Sequence, residues 1–78
     1  KGGDLSIETP YRARARENKE ASAAIGKALE IDPDLPEAHN NLGIIRIAEG
    51  EQALAKEAFR EAIRIRPDYG DAHGNLAN

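Results

Sequence analysis

The chain has 78 residues, enough for one small domain, and a domain of this size buries only about 60% of the surface that its unfolded form exposes. Charged residues make up 32% and the formal net charge is −3, a weakly acidic balance that argues against nucleic acid as a partner. The sequence has no cysteine, which excludes disulfides and thiolate metal sites, and no apolar run approaches the roughly 18 residues that cross a bilayer. It also has no valine, so the composition favours helices built on Ala, Leu and Ile.

The N-terminal third is the least regular part of the pattern. We expect residues 1–9 to form a disordered or irregular tail, ending at Thr9-Pro10, which is typical of an N-cap followed by the first helical residue. From there to residue 33 only Gly26 disfavours a helix, at a cost of about 1 kcal/mol. Two interpretations stay open for residues 10–33. We favour one long helix from Pro10 to about Ile31 over a degenerate first helix that turns near residues 16–18.

A second helix is predicted over residues 36–49. Pro36 suits the first helical position, because its missing N–H would be unpaired there anyway, and Asp34 is a candidate N-cap. Apolar residues then recur at steps of three and four, which indicates one buried stripe on the helix. Gly50 supplies a left-handed residue that closes the helix.

A third helix follows and ends before Pro67, since the residue before a proline is pushed out of the helical region. Small residues on both helices allow close approach, and larger apolar residues fill the remaining space. The predicted core of this unit consists of Leu42, Gly43, Ala55, Phe59, Ala62, Ile63 and Pro67.

The same pattern recurs after 34 residues, where Ala28 is matched by Ala62 and Asn41 by Asn75. On this correspondence residues 36–69 form one complete repeat, and residues 70–78 begin a truncated one within a domain that covers 10–78. A single helix pair cannot bury its own apolar stripe, whereas stacked pairs can. The predicted fold is therefore all-α, with antiparallel helix–turn–helix repeats stacked as a short α-solenoid.

These residues resemble a known family. Leu42-Gly43, Ala55, Phe59, Ala62 and Pro67 stand at the spacing of the tetratricopeptide signature, so residues 36–69 resemble one such repeat. The segments around the two Asn-Leu pairs are most similar to the superhelical repeats of O-linked N-acetylglucosamine transferase and of many bacterial repeat proteins. The catalytic domain of that transferase is absent from this sequence, so no activity is carried over. The resemblance implies a non-enzymatic module that presents a concave helical surface to an extended peptide or a partner protein.

The resemblance also implies a binding site. In the transferase repeats, an asparagine one position before Leu-Gly lies on the inner surface and holds the backbone of a bound peptide, and Asn41 and Asn75 match it. An amide side chain both donates and accepts, which suits a peptide unit. With the residues one helical turn away, the candidate peptide-binding set is Asn41, Asn75, Glu37, Ile44, Ala48, Asp71 and Asn78. The acidic members would favour basic or amide-bearing ligands. The alternative is that both asparagines are solvated or bond to a neighbouring helix.

No other pattern points to chemistry. His39 and His73 lie one repeat apart and are predicted to fill the aromatic position of the repeat rather than bind a metal. We predict no catalytic site, no metal and no cofactor, and we expect a protein or peptide partner, with homo-oligomers through the exposed repeat edges as a further expectation.

Alternative functions are a spacer or oligomerisation segment of a longer array, or an appendage of an enzyme domain. The start at Lys1-Gly2-Gly3 does not resemble a signal peptide, and we expect the chain to be a fragment of a longer protein. Its compartment is unknown, with the cytoplasm slightly favoured.

Overall fold

The computed structural model describes residues 8–77, which form four helices and no strand. These are α1 (Pro10–Ile31), α2 (Pro36–Ala48), α3 (Gln52–Ile65) and α4 (Gly70–Ala77). The helix α2 packs against α3, α3 against α4, and α1 against α2, while α4 also touches α2. The predicted all-α fold of helix–turn–helix units is confirmed.

The first segment is one uninterrupted helix, the favoured of the two interpretations for residues 10–33. Its start follows the sequence signal: Thr9 Oγ1 accepts a hydrogen bond from the Arg12 N–H at 3.1 Å, and Pro10 is the first helical residue. Arg16 stands where the next repeat has Gly50, so no residue there favours a left-handed turn. Of the predicted irregular tail, residues 1–7 lie outside the described part, and Glu8 and Thr9 are non-helical.

The start of α2 corrects one prediction. Leu35, and not Asp34, is the N-cap, and its side chain makes no capping hydrogen bond. Before the helix, the Asp34 N–H donates to Asp32 Oδ1 at 3.1 Å, which makes the segment a local turn of the aspartate type. Pro36 is in the first turn of α2 as predicted, and Gly50 closes α2 with a φ of 80°.

The core lies where α2, α3 and α4 meet. Phe59 is 1% exposed and is the largest fully buried side chain among the described residues. Gly43 permits the close approach of α2, because a Cβ at that position would come within 2.7 Å of Phe59 Cδ1. The buried apolar residues, together with the buried glycine, are Gly43, Ile45, Ala55, Ala58, Phe59, Ala62 and Ala72.

Two members of the predicted core, Leu42 and Ile63, are half-buried. The prediction for a third member, Pro67, is wrong. Pro67 is exposed and does not belong to the core. It lies in the turn after α3, which ends at Ile65, so its contribution is to stop the helix and not to fill space.

The helix α1 differs from the others in having no buried residue. Its half-buried positions between residues 18 and 29 recur at steps of three and four, and they mark the face toward α2. Ile31 at its end is 86% exposed. Within residues 8–77 no helix is both long enough and apolar enough to span a membrane.

Candidate functional site

The first helices of two successive repeats, α2 and α4, lie side by side and leave a groove between them. The groove has a volume of about 500 Å³, and its lining consists of Asn40, Ile44, Gly70, Asp71, Gly74 and Asn75. Two of these residues are glycines, whose missing side chains leave open space on the α4 side. The groove therefore combines an apolar patch, a carboxylate and two amides on a surface with little steric obstruction.

A hydrogen bond between two asparagines crosses this groove. Asn75 Nδ2 donates to Asn40 Oδ1 at 3.0 Å, which joins α4 to α2. Asn40 is only 4% exposed, whereas Asn75 is half-buried. The bond holds the Asn75 amide in one orientation and uses one of its two N–H groups, so the second N–H and the amide oxygen remain for a ligand.

The other two side chains of the groove are more accessible. Ile44 on α2 is 48% exposed. Asp71 is exposed and lies in the first turn of α4. An accessible isoleucine beside an acidic group can accept a ligand that carries both an apolar and a basic or amide-bearing part.

The structure brings three of the predicted site residues together, namely Ile44, Asp71 and Asn75. Glu37 lies apart and forms an ion pair with Arg66, with 3.3 Å between Glu37 Oε2 and Arg66 Nη1. Ala48 lines a different, smaller groove at the far end of α2, together with Tyr11, Arg14, Ala15, Asn18 and Glu49.

Asn41 is exposed and is not among the residues that line the α2–α4 groove, and Asn78 lies outside the described residues. Sequence reasoning missed Asn40, which takes the place in the groove that was expected for Asn41. Helical geometry could have identified Asn40, because it precedes Ile44 by one turn and therefore lies on the same face of α2.

The two histidines have a structural part in both repeats. His39 Nε2 hydrogen-bonds to the carbonyl oxygen of Pro33 at 2.9 Å, and His73 Nε2 bonds to that of Pro67 at 2.7 Å. Each bond ties a first helix to the turn that precedes it. The signal in the sequence is the Pro-to-His spacing of six residues, which occurs in both repeats.

Ion pairs on the outer surface account for the resolved pKa shifts. The hydrogen bond from Arg16 lowers the pKa of Glu8, and that from Arg64 lowers the pKa of Glu61. Both carboxylates are accessible to solvent at the surface, so these pairs are solvated contacts with a small effect on stability.

The described residues contain no group of three or more His, Asp or Glu side chains placed to hold a metal ion. Every buried polar side-chain atom in that part of the chain has a hydrogen-bond partner. The α2–α4 groove has an ordered amide pair and an exposed carboxylate as its polar groups.

The architecture defines a class of protein: a short array of helical hairpins in which consecutive first helices lie side by side. Comparison with known families agrees, since residues 36–69 match the family model of the tetratricopeptide repeat. Repeats of this family generally mediate protein–protein interaction and are typically non-catalytic. A search of curated proteins and a search of solved structures each found no significant match.

Proposed function

We propose that the protein is a peptide-binding module and that an extended peptide or an extended segment of a partner protein lies in the α2–α4 groove. The observation that supports this most directly is the Asn75–Asn40 hydrogen bond, which orders an amide at the centre of the groove. An ordered side chain loses less rotamer entropy when a ligand binds, so part of the cost of binding is removed beforehand.

Each groove residue has a distinct part in this proposal. The Asn75 amide pairs with a backbone peptide unit, which gives affinity without a strict sequence requirement. Ile44 contacts an apolar side chain of the ligand, and Asp71 favours a Lys or Arg side chain nearby. Recognition of this kind selects extended segments that alternate apolar and basic residues.

The remaining predicted site residues extend the surface along α2. Glu37 and Asn41 are one helical turn apart on the exposed side of α2, and Ala48 lies one turn beyond Ile44. A ligand longer than the groove would follow these residues, so we expect Asn41 to contribute less than Asn75. Asn78 lies outside the described residues, and only its sequence spacing from Asn75 supports its membership of the predicted set.

The test begins with selection of unstructured peptides on the immobilised protein, followed by titration calorimetry of a selected peptide. Asn75→Ala is expected to weaken binding by about 1 kcal/mol or more, or about fivefold, because a peptide hydrogen bond is lost. Asp71→Asn is expected to weaken peptides that contain Lys or Arg, and to leave their Gln-substituted versions unchanged.

Asp68→Asn is the matched control for Asp71→Asn, since Asp68 carries the same charge in the preceding turn but does not line the groove. Circular dichroism of each variant separates loss of binding from loss of folding. If Asn75→Ala and Asp71→Asn bind every selected peptide as the unmodified protein does, the groove is not the binding site. If no peptide is selected at all, the chain acts as a spacer and the proposal is wrong.

A further inference from the structure

The end of α3 brings an arginine to Glu37, the acidic residue of the predicted site that lies apart from the α2–α4 groove. Arg66 directly follows the last residue of α3, where the backbone leaves the helical conformation. Its Nη1 donates to Glu37 Oε2 on α2 at 3.3 Å, although 29 residues separate the two in the chain. This contact therefore depends on how α3 packs against α2.

Two further groups hold the Arg66 guanidinium in place. Arg66 Cζ lies 5.1 Å from the centre of the Tyr69 ring, which is within the range of a cation–π contact. Arg66 Nε lies 3.8 Å from Asp68 Oδ1 in the turn before α4. A planar guanidinium has five N–H donors in a fixed fork, so it can pair with carboxylates and lie over a ring at the same time. The side chain is thus held on three sides, although it is exposed to solvent.

Glu37 and Asp71 occupy corresponding positions of the repeat, since 34 residues separate them. Each lies in the first turn of its helix, Glu37 in α2 and Asp71 in α4, and both are exposed. Each carboxylate would attract a basic group of a ligand. Arg66 distinguishes the two positions, because its acidic partners within residues 8–77 are Glu37 and Asp68.

We propose that Arg66 determines the specificity of the peptide site, because it pairs with Glu37 as a basic residue of the ligand would. This inference rests on the proposed function of the α2–α4 groove. Asp71 accepts the basic residue of the bound segment, and the guanidinium at Glu37 repels a second one. The preferred ligand therefore has a basic residue at Asp71 and a residue without positive charge where it passes Glu37.

The packing of the helices gives the spacing of these two positions along a ligand. The helix α4 touches α2, and the axes of packed helices lie about 8–10 Å apart. An extended chain advances about 3.3 Å per residue. A segment that crosses from Asp71 to Glu37 therefore places about three residues between the two carboxylates.

The experiment measures the fluorescence anisotropy of labelled peptides with the full chain and its variants at low salt. The probes are capped peptides of serine and leucine, one with a single lysine and the others with a second lysine two, three or four residues away. Arg66→Gln is expected to bind the best two-lysine peptide about three- to fivefold more tightly than the unmodified chain does, because Glu37 becomes available to it. Binding of the single-lysine peptide should change by less than twofold, and the gain should shrink in high salt.

Arg64→Gln is the matched control, since Arg64 is an exposed arginine of α3 that pairs with Glu61 and Asp34 and does not line the groove. It removes the same charge and should leave the preference between the peptides unchanged. Glu37→Gln in the Arg66→Gln protein should cancel the gain, which would assign the gain to the Glu37 carboxylate. All three positions are exposed, so the helical spectrum of each variant should remain that of the unmodified chain.

The inference is overturned if Arg66→Gln and Arg64→Gln change the binding of the two kinds of peptide equally. It is equally overturned if the gain survives Glu37→Gln. Failure of the proposed function gives a different result, because the unmodified chain then binds no lysine peptide, or Asp71→Asn binds them all as tightly. The role of Arg66 in specificity is then wrong as well.

Discussion

The helices α1 and α3 occupy corresponding positions of the repeat and share alanine at three of them. All three alanines are buried in α3, whereas in α1 two are exposed and one is half-buried; the pairs are Ala21 with Ala55, Ala24 with Ala58, and Ala28 with Ala62. The residue types are the same, and the difference lies in the neighbours, since within residues 8–77 α3 has a helix on two sides and α1 on one. Burial in a repeat array is thus a property of stacking and not of the single helix.

The test with the largest expected effect replaces the residues at the corresponding positions 59 and 25 by alanine. Phe59→Ala is expected to cost about 3–5 kcal/mol, because it removes a fully buried ring and leaves a cavity. Ile25→Ala is expected to cost about 1 kcal/mol, since Ile25 is only half-buried. Urea unfolding followed by circular dichroism measures both.

A loss of several kcal/mol equals most of the stability of a small domain, so Phe59→Ala could leave the chain unfolded. Phe59→Leu then supplies a milder version, with an expected loss still above that of Ile25→Ala. Equal losses at the two positions would contradict the view that α1 has no core of its own.

A second test uses the same substitution at two helical glycines. Gly43→Ala is expected to destabilise the protein by about 1–3 kcal/mol, because the new Cβ would meet the Phe59 ring. Gly26→Ala is expected to stabilise it by about 0.5–1 kcal/mol, since its Cβ has no neighbour within 4 Å and alanine is the better helix former. Thermal unfolding of both variants gives the signs. A stabilised Gly43→Ala protein would mean that α2 and α3 are farther apart than the structure places them.

A third test concerns the glycine turn between α2 and α3. The corresponding position, Arg16, lies inside the continuous helix α1. Gly50 has a φ of 80° and open space around its Cβ, so Gly50→Ala introduces backbone strain alone. The expected cost is about 1 kcal/mol, the ordinary penalty for a left-handed non-glycine residue. Gly26→Ala is again the control of opposite sign, and denaturant midpoints compare the two. An unchanged midpoint for Gly50→Ala would show that the turn tolerates another backbone conformation.

The smallest expected effect is a pH dependence. The pKa values of Glu61 and Glu8 are lowered from 4.5 in the folded state by hydrogen bonds from Arg64 and Arg16. Each pair therefore stabilises the fold above the unfolded-state pKa, and the contribution is lost as the pH falls through the lower folded-state value.

Because both pairs are exposed, the change should be small and should shrink further in high salt. Glu61→Gln is expected to flatten the stability profile as the pH falls below the ordinary glutamate pKa of 4.5, as measured by thermal unfolding. Glu8→Gln should affect only the fraying of α1, measured by amide exchange. A larger effect from Glu8→Gln on global unfolding would show that the end of α1 belongs to the cooperative core.

Much of the fold could be predicted because its signals are local. Thr9-Pro10, Pro36 and Gly50 mark helix ends through φ restriction and capping, and these effects act within one turn of the chain. The same reasoning failed at Asp34, because Leu35 and not Asp34 is the N-cap residue of α2. Local signals locate a helix start only to within a residue or two.

The candidate site was less predictable. Asn75 was found from its position before a Leu in the repeat, but Asn40 was missed, because the hydrogen bond between them depends on how α4 lies against α2. Glu37, Ile44 and Ala48 lie on one stripe of α2, yet the structure gives them different surroundings. Glu37 forms an ion pair, and Ile44 and Ala48 line two separate grooves. Which residues line the same groove depends on how two helices pack together. The residue pattern of a single helix carries no information about that packing.

The sequence by itself determined the helical class, the 34-residue period and the residues that can approach closely, because each depends on residue size and backbone preference at single positions. Only the tertiary structure decided which faces are covered. The alanines of α1 and α3 occupy equivalent positions in the sequence repeat. Whether they are buried, and gain the free energy of burial, depends on whether helices pack on both sides of their helix.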